Sequence, residues 1–208
     1  MYCELAGSAV GVVPHGRAPI LGAELAAGDE IVLVASSGLH ANGSSLARQV
    51  AERSPRGYAT PIADGRSLGE ALLDRSVIYV GLVRALLESG LEIHYLSHIT
   101  GHGLLKLMRP RCDLSYTIHS LPPVPPVLAH LVAATGMSDA SAYSTFNMGA
   151  GFAVYCAPGC GTEIVRLASE RSLSAQLAGV VGEGPRRVVL EELGVVFDGA
   201  ELDLAPRG

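Results

Sequence analysis

The sequence predicts an α/β (α+β) domain, a mixed β-sheet with helices packed mainly on one of its faces. Three observations predict it. Short β-like runs interleave with stretches of helical periodicity, without an internal repeat or a low-complexity tract. The composition is 49% hydrophobic with a mean hydropathy of +0.34, which excludes a disordered chain. Aromatics are scarce (5%, no Trp) while glycines number 25, a mixture that suits close-packed helices on a sheet with many tight turns. A chain of 208 residues buries about 70% of its unfolded surface on folding, so neither a metal nor a disulfide is needed to hold it together.

The elements follow in order. Residues 5–13 (LAGSAVGVV) and 30–35 (EIVLVA) are β-like runs joined by a Pro/Gly-rich link. After the turn SSGLHANG, residues 44–54 place Leu46, Val50 and Ala51 on one helical face. Residues 55–69 read as a loop. Helical periodicity returns over 77–87 and stops at Ser89-Gly90. Alternation predicts strands over 92–98 and 113–119. Pro-rich SLPPVPP then breaks regular structure and sets proline at the start of a helix over 127–135. A strand over 151–157, a helix over 162–171 and strands near 176–181, 186–191 and 195–197 complete the chain.

The net charge of −5 is carried against fifteen scattered Lys and Arg, mostly arginine, which leaves no nucleic-acid footprint. No apolar run approaches the ~18 residues of a membrane span, and the N-terminus has no basic region leading into an apolar core. The chain therefore reads as cytoplasmic, with neither nucleic acid nor membrane among its partners. In that compartment Cys3, Cys112, Cys156 and Cys160 are not expected to form disulfides. No second Cys or His pair follows CAPGC at zinc-finger spacing, so Cys156 and Cys160 read as small apolar side chains near a strand end.

Three segments set glycine beside small polar residues at strand-to-helix junctions: SSGLHANGSSL (36–46), HITGHGLLKLMR (98–109) and FNMGAG (146–151). Glycine allows a positive φ and a close approach of backbone to ligand. A helix N-terminus then offers unpaired N–H groups to an anion. Three such turns would converge on one anionic ligand. None matches the P-loop or the dinucleotide-binding fingerprint. His98 and His102 stand four apart, but the intervening Ile-Thr-Gly is turn-like and no HExxH glutamate is present, so a metal pair is rejected.

Leu5-Ala6-Gly7, Gly28-Asp29, Ser36-Ser37-Gly38-Leu39-His40 with Asn42-Gly43, His98-Ile99-Thr100-Gly101 and Phe146-Asn147-Met148-Gly149 carry a resemblance. In order and spacing they resemble the second half of phosphoribosylformylglycinamidine cyclo-ligase, the aminoimidazole ribonucleotide synthetase of purine biosynthesis. The similarity spans roughly residues 2–182. The wider superfamily includes the formylglycinamide ribonucleotide amidotransferase, selenophosphate synthetase, thiamine-phosphate kinase and a hydrogenase maturation protein.

The resemblance implies a cyclo-ligase C-terminal-domain-like fold over residues 16–208. Residues 1–15 would be a remnant of the last strand of the N-terminal ATP-binding domain. In the intact family enzyme that other domain binds ATP and Mg2+ and forms the dimer interface. ATP activates a formyl oxygen as an iminophosphate, and an internal nitrogen attacks to close the imidazole ring. The family's acidic metal-binding segments have no counterpart here. The chain alone is thus not expected to bind ATP or Mg2+ tightly or to be active without an ATP-binding half, in cis or in trans. Its other implied partner is a small-molecule ribotide substrate. The family's oligomeric state does not carry over, but an apolar face left open by the missing domain would favour a homo-oligomer. The alternatives are a non-catalytic ribotide- or nucleotide-binding or scaffolding module, and a fragment of a longer enzyme of the superfamily.

By the same resemblance, His40 and His98 are the candidate catalytic residues. Ser36, Ser37, Gly38, Asn42, Gly43, Thr100, Gly101, His102, Asn147 and Gly149 are the candidate substrate- and phosphate-binding residues; none is assigned to a metal. Each has a bland counterpart. His40 would otherwise cap a neighbouring strand, and His98 would be a satisfied buried histidine. Ser36, Ser37 and Asn42 are ordinary turn formers. Asn147 would stabilise the Gly149 turn. Lys106 and Arg109 would either attract phosphate or form an exposed basic face, the commoner outcome. Phe146 and Met148 read as core. His102 departs from the family's glycine and marks a divergent subgroup.

Overall fold

A computed structural model describes residues 7–13 and 18–202. Seven strands form one sheet: β1 (Glu30–Ala35), β2 (Ile93–His98), β3 (Leu114–Ile118), β4 (Ala150–Cys156), β5 (Ala175–Glu183), β6 (Arg187–Leu190) and β7 (Val195–Asp198). Their spatial order is β2-β4-β1-β5-β3-β6-β7, and every pairing is antiparallel except β3 with β6. Helices α1 (Ser44–Arg53), α2 (Leu68–Leu72), α3 (Val80–Glu88), α4 (Pro126–Thr135), α5 (Asp139–Thr145), α6 (Gly161–Ser169) and α7 (Gly199–Leu202) connect them.

The central strand β1 explains the layering. In EIVLVA, Ile31 and Leu33 point into the larger core with side chains of α1, α2, α4 and α5. Val32 and Val34 point the other way, under α3 and α6, with Leu82, Leu86 and Ile164. A strand covered on both faces must be apolar at every position, so β1 is a continuous hydrophobic run rather than an alternating one. The helices lie mainly on one face, as the sequence predicts, with α3 and α6 covering part of the other.

Of the predicted strand over 5–13, the described part does not form. Residues 5 and 6 lie outside the described residues, and 7–13 belong to no strand, with Val10 98% and Val12 90% exposed. A strand exists only as a member of a ladder, and the edge strand β2 pairs with β4 alone. The proposed remnant over 1–15 therefore lies partly outside the described residues. The predicted loop over 55–69 holds a short 3-10 turn at Gly57–Ala59 and the start of α2. Helix α5 and helix α7 were not read from the sequence, and Gly103–Met108 winds as a 3-10 helix. Among the described residues no helix is long and apolar enough to cross a membrane.

Candidate functional site

The three glycine turns meet at one end of the sheet. Strands β1 and β2 run in the same direction, both antiparallel to the β4 between them, so their ends and the start of β4 come together. Ala35 registers with Ala150, and His98 with Phe152. Asn147, 3% exposed, joins the first turn to the third. Its Oδ1 accepts from Ser36 Oγ at 2.6 Å and from the Gly149 N–H at 3.0 Å; its Nδ2 donates to the Gly38 carbonyl at 2.8 Å. The Ser36 N–H donates to the Gly149 carbonyl at 2.8 Å. Asn42 Nδ2 donates to the Thr145 carbonyl at 2.5 Å, and Asn42 Oδ1 lies beside Gly101 of the second turn.

Several glycines are required by the protein's own atoms. A Cβ on Gly149 would lie 2.4 Å from the Pro123 carbonyl oxygen, and one on Gly43, at the start of α1, 2.4 Å from the Phe146 ring. Backbone strain marks the same turns. Of the four described non-glycine residues with positive φ, His40 (55°), His102 (72°) and Met148 (44°) fall one in each turn. Such conformations cost about 1–3 kcal/mol each and collect at functional sites.

The two candidate histidines occupy different environments. His40 Nε2 accepts the Ser37 N–H at 3.1 Å and the Val77 N–H at 3.4 Å, while Ser37 Oγ spends its proton on the Arg75 carbonyl at 2.7 Å. A nitrogen that accepts backbone N–H groups carries a lone pair, so the ring is neutral with its proton on Nδ1. That Nδ1 is buried and has no partner. Burial, and then the neighbouring His98, hold the His40 pKa below its ordinary value.

His98 is exposed at the end of β2. No hydrogen bond to its ring is formed within the described residues; its contacts are the Tyr79 ring at 5.9 Å, edge-on, and the Phe152 ring at 6.2 Å. Partial burial, and then Lys106, lower its pKa as well. His98 and Phe152 line a cleft of about 410 Å³ with Val77, Tyr79, Val83 and Arg84.

Beside it, Lys106 Nζ donates to Thr100 Oγ1, and burial and then Arg109 lower the Lys106 pKa. His102 is exposed. The structure thus sorts the sequence-predicted set into a knitted scaffold (Ser36, Ser37, Gly38, His40, Asn42, Gly43, Asn147, Gly149) and an accessible rim (His98, Thr100, Gly101, His102).

Tyr79 is a member that sequence reasoning missed. Its hydroxyl donates to the Ala35 carbonyl at 2.8 Å, and its ring stacks on Phe152 at 5.2 Å. It fits because position 151 is glycine: a Cβ there would sit 1.9 Å from the Tyr79 oxygen. No spacing pattern announces it. Among the described residues no three His, Cys, Asp or Glu side chains come together as a metal-ligand set.

Residues 26–191 match the family described as AIR synthase related protein, C-terminal domain. The chain belongs to that family. Its relatives include the phosphoribosylformylglycinamidine cyclo-ligases of Rippkaea orientalis, 34% identical over 90% of this chain and 56% of the relative, and of Nitrosococcus oceani, 39% identical over 85% and 49%. The chain therefore spans about half the length of the AIR synthases it matches. Among solved structures, the E. coli hydrogenase maturation protein HypE shares the fold at TM-score 0.55 and 19% identity, over 88% of this chain and 53% of that one. A HypE solved in complex with ATP does so at 0.53 and 18%, over 85% and 51%. T. maritima PurL complexed with FGAR does so at 0.51 and 18%, over 88% and 29%. At these identities the likeness is one of fold.

Proposed function

We propose that this chain is the substrate-side domain of an ATP-dependent cyclo-ligase-like enzyme of purine biosynthesis, acting in the cytoplasm and completed by an ATP-binding half in cis or in trans. The observation that carries the reading is the junction at Asn147. It holds turns that are over a hundred residues apart in sequence to one end of the sheet, beside an open cleft that ends on His98.

In this reading the other half would supply ATP, whose terminal phosphoryl group would pass to the substrate's formyl oxygen, leaving ADP; the ring-closing nitrogen would then bond to the formyl carbon as the carbon–oxygen bond breaks and phosphate leaves. No ligand set for Mg2+ is formed by the described residues. His98 is the group that takes the proton from the nitrogen closing the ring. Its ring is exposed, unbonded and held neutral near pH 7 by its lowered pKa. A general base must be unprotonated when it takes the proton.

His40 is a positioning residue: its Nε2 fastens the Ser36–Ser37 turn to the segment that carries Tyr79. Thr100, Gly101 and His102 line the substrate's approach. Exposed Ile78 (79%) and Val80 (64%) flank the cleft. An apolar surface of this kind supports contact with the ATP-binding half or with a second copy. The test is ATP-dependent ring closure measured with and without that half.

A further inference from the structure

Residues 74–79 have no regular structure, yet three bonds tie them to the end of β1 and the first turn. Ser37 Oγ donates to the Arg75 carbonyl at 2.7 Å, the Val77 N–H donates to His40 Nε2 at 3.4 Å, and the Tyr79 hydroxyl donates to the Ala35 carbonyl at 2.8 Å. The segment delivers Tyr79 to the start of α3, where the residue is only 5% exposed. Its ring stacks on Phe152 at 5.2 Å and neighbours both candidate histidines, His40 at 6.4 Å and His98 at 5.9 Å. Burial pushes the Tyr79 hydroxyl pKa up, so the group stays protonated, with its one proton committed to Ala35.

Two features separate Tyr79 from an ordinary core aromatic. Its hydroxyl occupies the space where a side chain at position 151 would stand, 1.9 Å from a Cβ built on Gly151. Glycine inside a strand costs backbone entropy and marks the close approach of another group; every other residue of β4 carries a buried side chain. The second feature is what His98 lacks. The sheet sets its Cα opposite Phe152, but among the described residues no hydrogen bond holds its imidazole. Its orientation rests on ring contacts, edge-on with Tyr79 at 71° and tilted on Phe152 at 43°, and rings at such separations favour edge-to-face or offset geometry.

We infer that Tyr79 is a positioning residue: its ring sets the orientation of the His98 imidazole in the cleft and couples it to the first turn. The inference rests on the reading of His98 as proton acceptor for its catalytic consequence alone. A general base must meet its proton within hydrogen-bond reach, so an imidazole turning freely would serve poorly.

His98 itself reports the outcome. Three-bond NMR couplings from its Cγ to its backbone nitrogen and carbonyl carbon give its χ1 rotamer populations in the isotope-labelled chain, with no ATP and no second half present. One dominant rotamer is expected in wild type and in Tyr79→Phe, whose ring still stacks on Phe152, and averaging over rotamers in Tyr79→Leu. Gly151→Ala should average His98 as well, because its Cβ displaces the Tyr79 hydroxyl. Adding Tyr79→Phe to Gly151→Ala should restore the single rotamer, since without that hydroxyl the nearest contacts are 3.0 Å and longer. Averaging in wild type overturns the inference whether or not any variant folds, and so does a single rotamer in folded Tyr79→Leu. With the ATP-binding half added, Tyr79→Leu should lower kcat about tenfold or more and leave KM within about threefold. If the rotamers follow Tyr79 and the wild-type mixture closes no ring, only the catalytic reading fails. If the mixture turns over and the rotamers do not follow Tyr79, only this inference fails.

Discussion

Asn147 and His40 show what single residues contribute here. Asn147 was legible as a turn stabiliser because asparagine precedes Gly149 by two residues. Its partners Ser36 and Gly38 were not, since they lie more than a hundred residues away. His40 was legible as a candidate site residue through its motif, but its bond to the Val77 N–H is one that no local pattern links to it. That role predicts a pH response. The native state refuses a proton that the unfolded chain accepts below about 6.5. The contribution of His40 to stability is therefore complete above that pH and is lost as pH falls through the lowered native pKa. The melting temperature of wild type should drop more between pH 7 and pH 5 than that of His40→Gln; equal drops would refute the assignment. His102 makes a second prediction from its φ of 72°. His102→Gly should be at least as stable as wild type, and His102→Val less stable by about 1–2 kcal/mol in urea unfolding, because a β-branched residue resists the left-handed region.

Elements were read well where one rule decided them. Continuous apolar EIVLVA and the proline-led α4 took nearly the predicted bounds. The run over 7–13 has the composition of a strand but joins no ladder, and pairing is invisible in a local pattern. Helix α2 was lost for the opposite reason. Its local signal is present: Ser67 Oγ accepts the Glu70 N–H, and the Glu70 carboxylate accepts the Ser67 N–H at 2.8 Å. This S-x-x-E capping box stands inside a Gly-rich stretch that reads as loop. Ser67→Ala should lower stability by about 1 kcal/mol, seen as a fall in melting temperature of roughly 2–4 °C for a chain of this size. An unchanged melting temperature would mean that α2 is held by the packing of Leu68 and Ala71 alone.

At the scale of the molecule, the sheet carries two kinds of surface at the end where the turns meet. One is knitted and strained, made by Asn147, His40 and the glycines that their neighbours crowd. The other is open, made by His98, Thr100, His102 and Lys106 beside an apolar cleft. The motifs made the first kind legible, since its glycines answer to packing. Lys106 was legible as a basic group just after the second turn, and the fold supplies its bond to Thr100.

The most direct measurement is ATP-dependent formation of aminoimidazole ribonucleotide from its formylglycinamidine precursor. It is run with this chain alone, with a cyclo-ligase ATP-binding half alone, and with the two combined or joined. The account predicts turnover only when both are present, and its loss in His98→Ala at unchanged melting temperature. No turnover from the folded, combined halves, or turnover unaffected by His98→Ala, would contradict it.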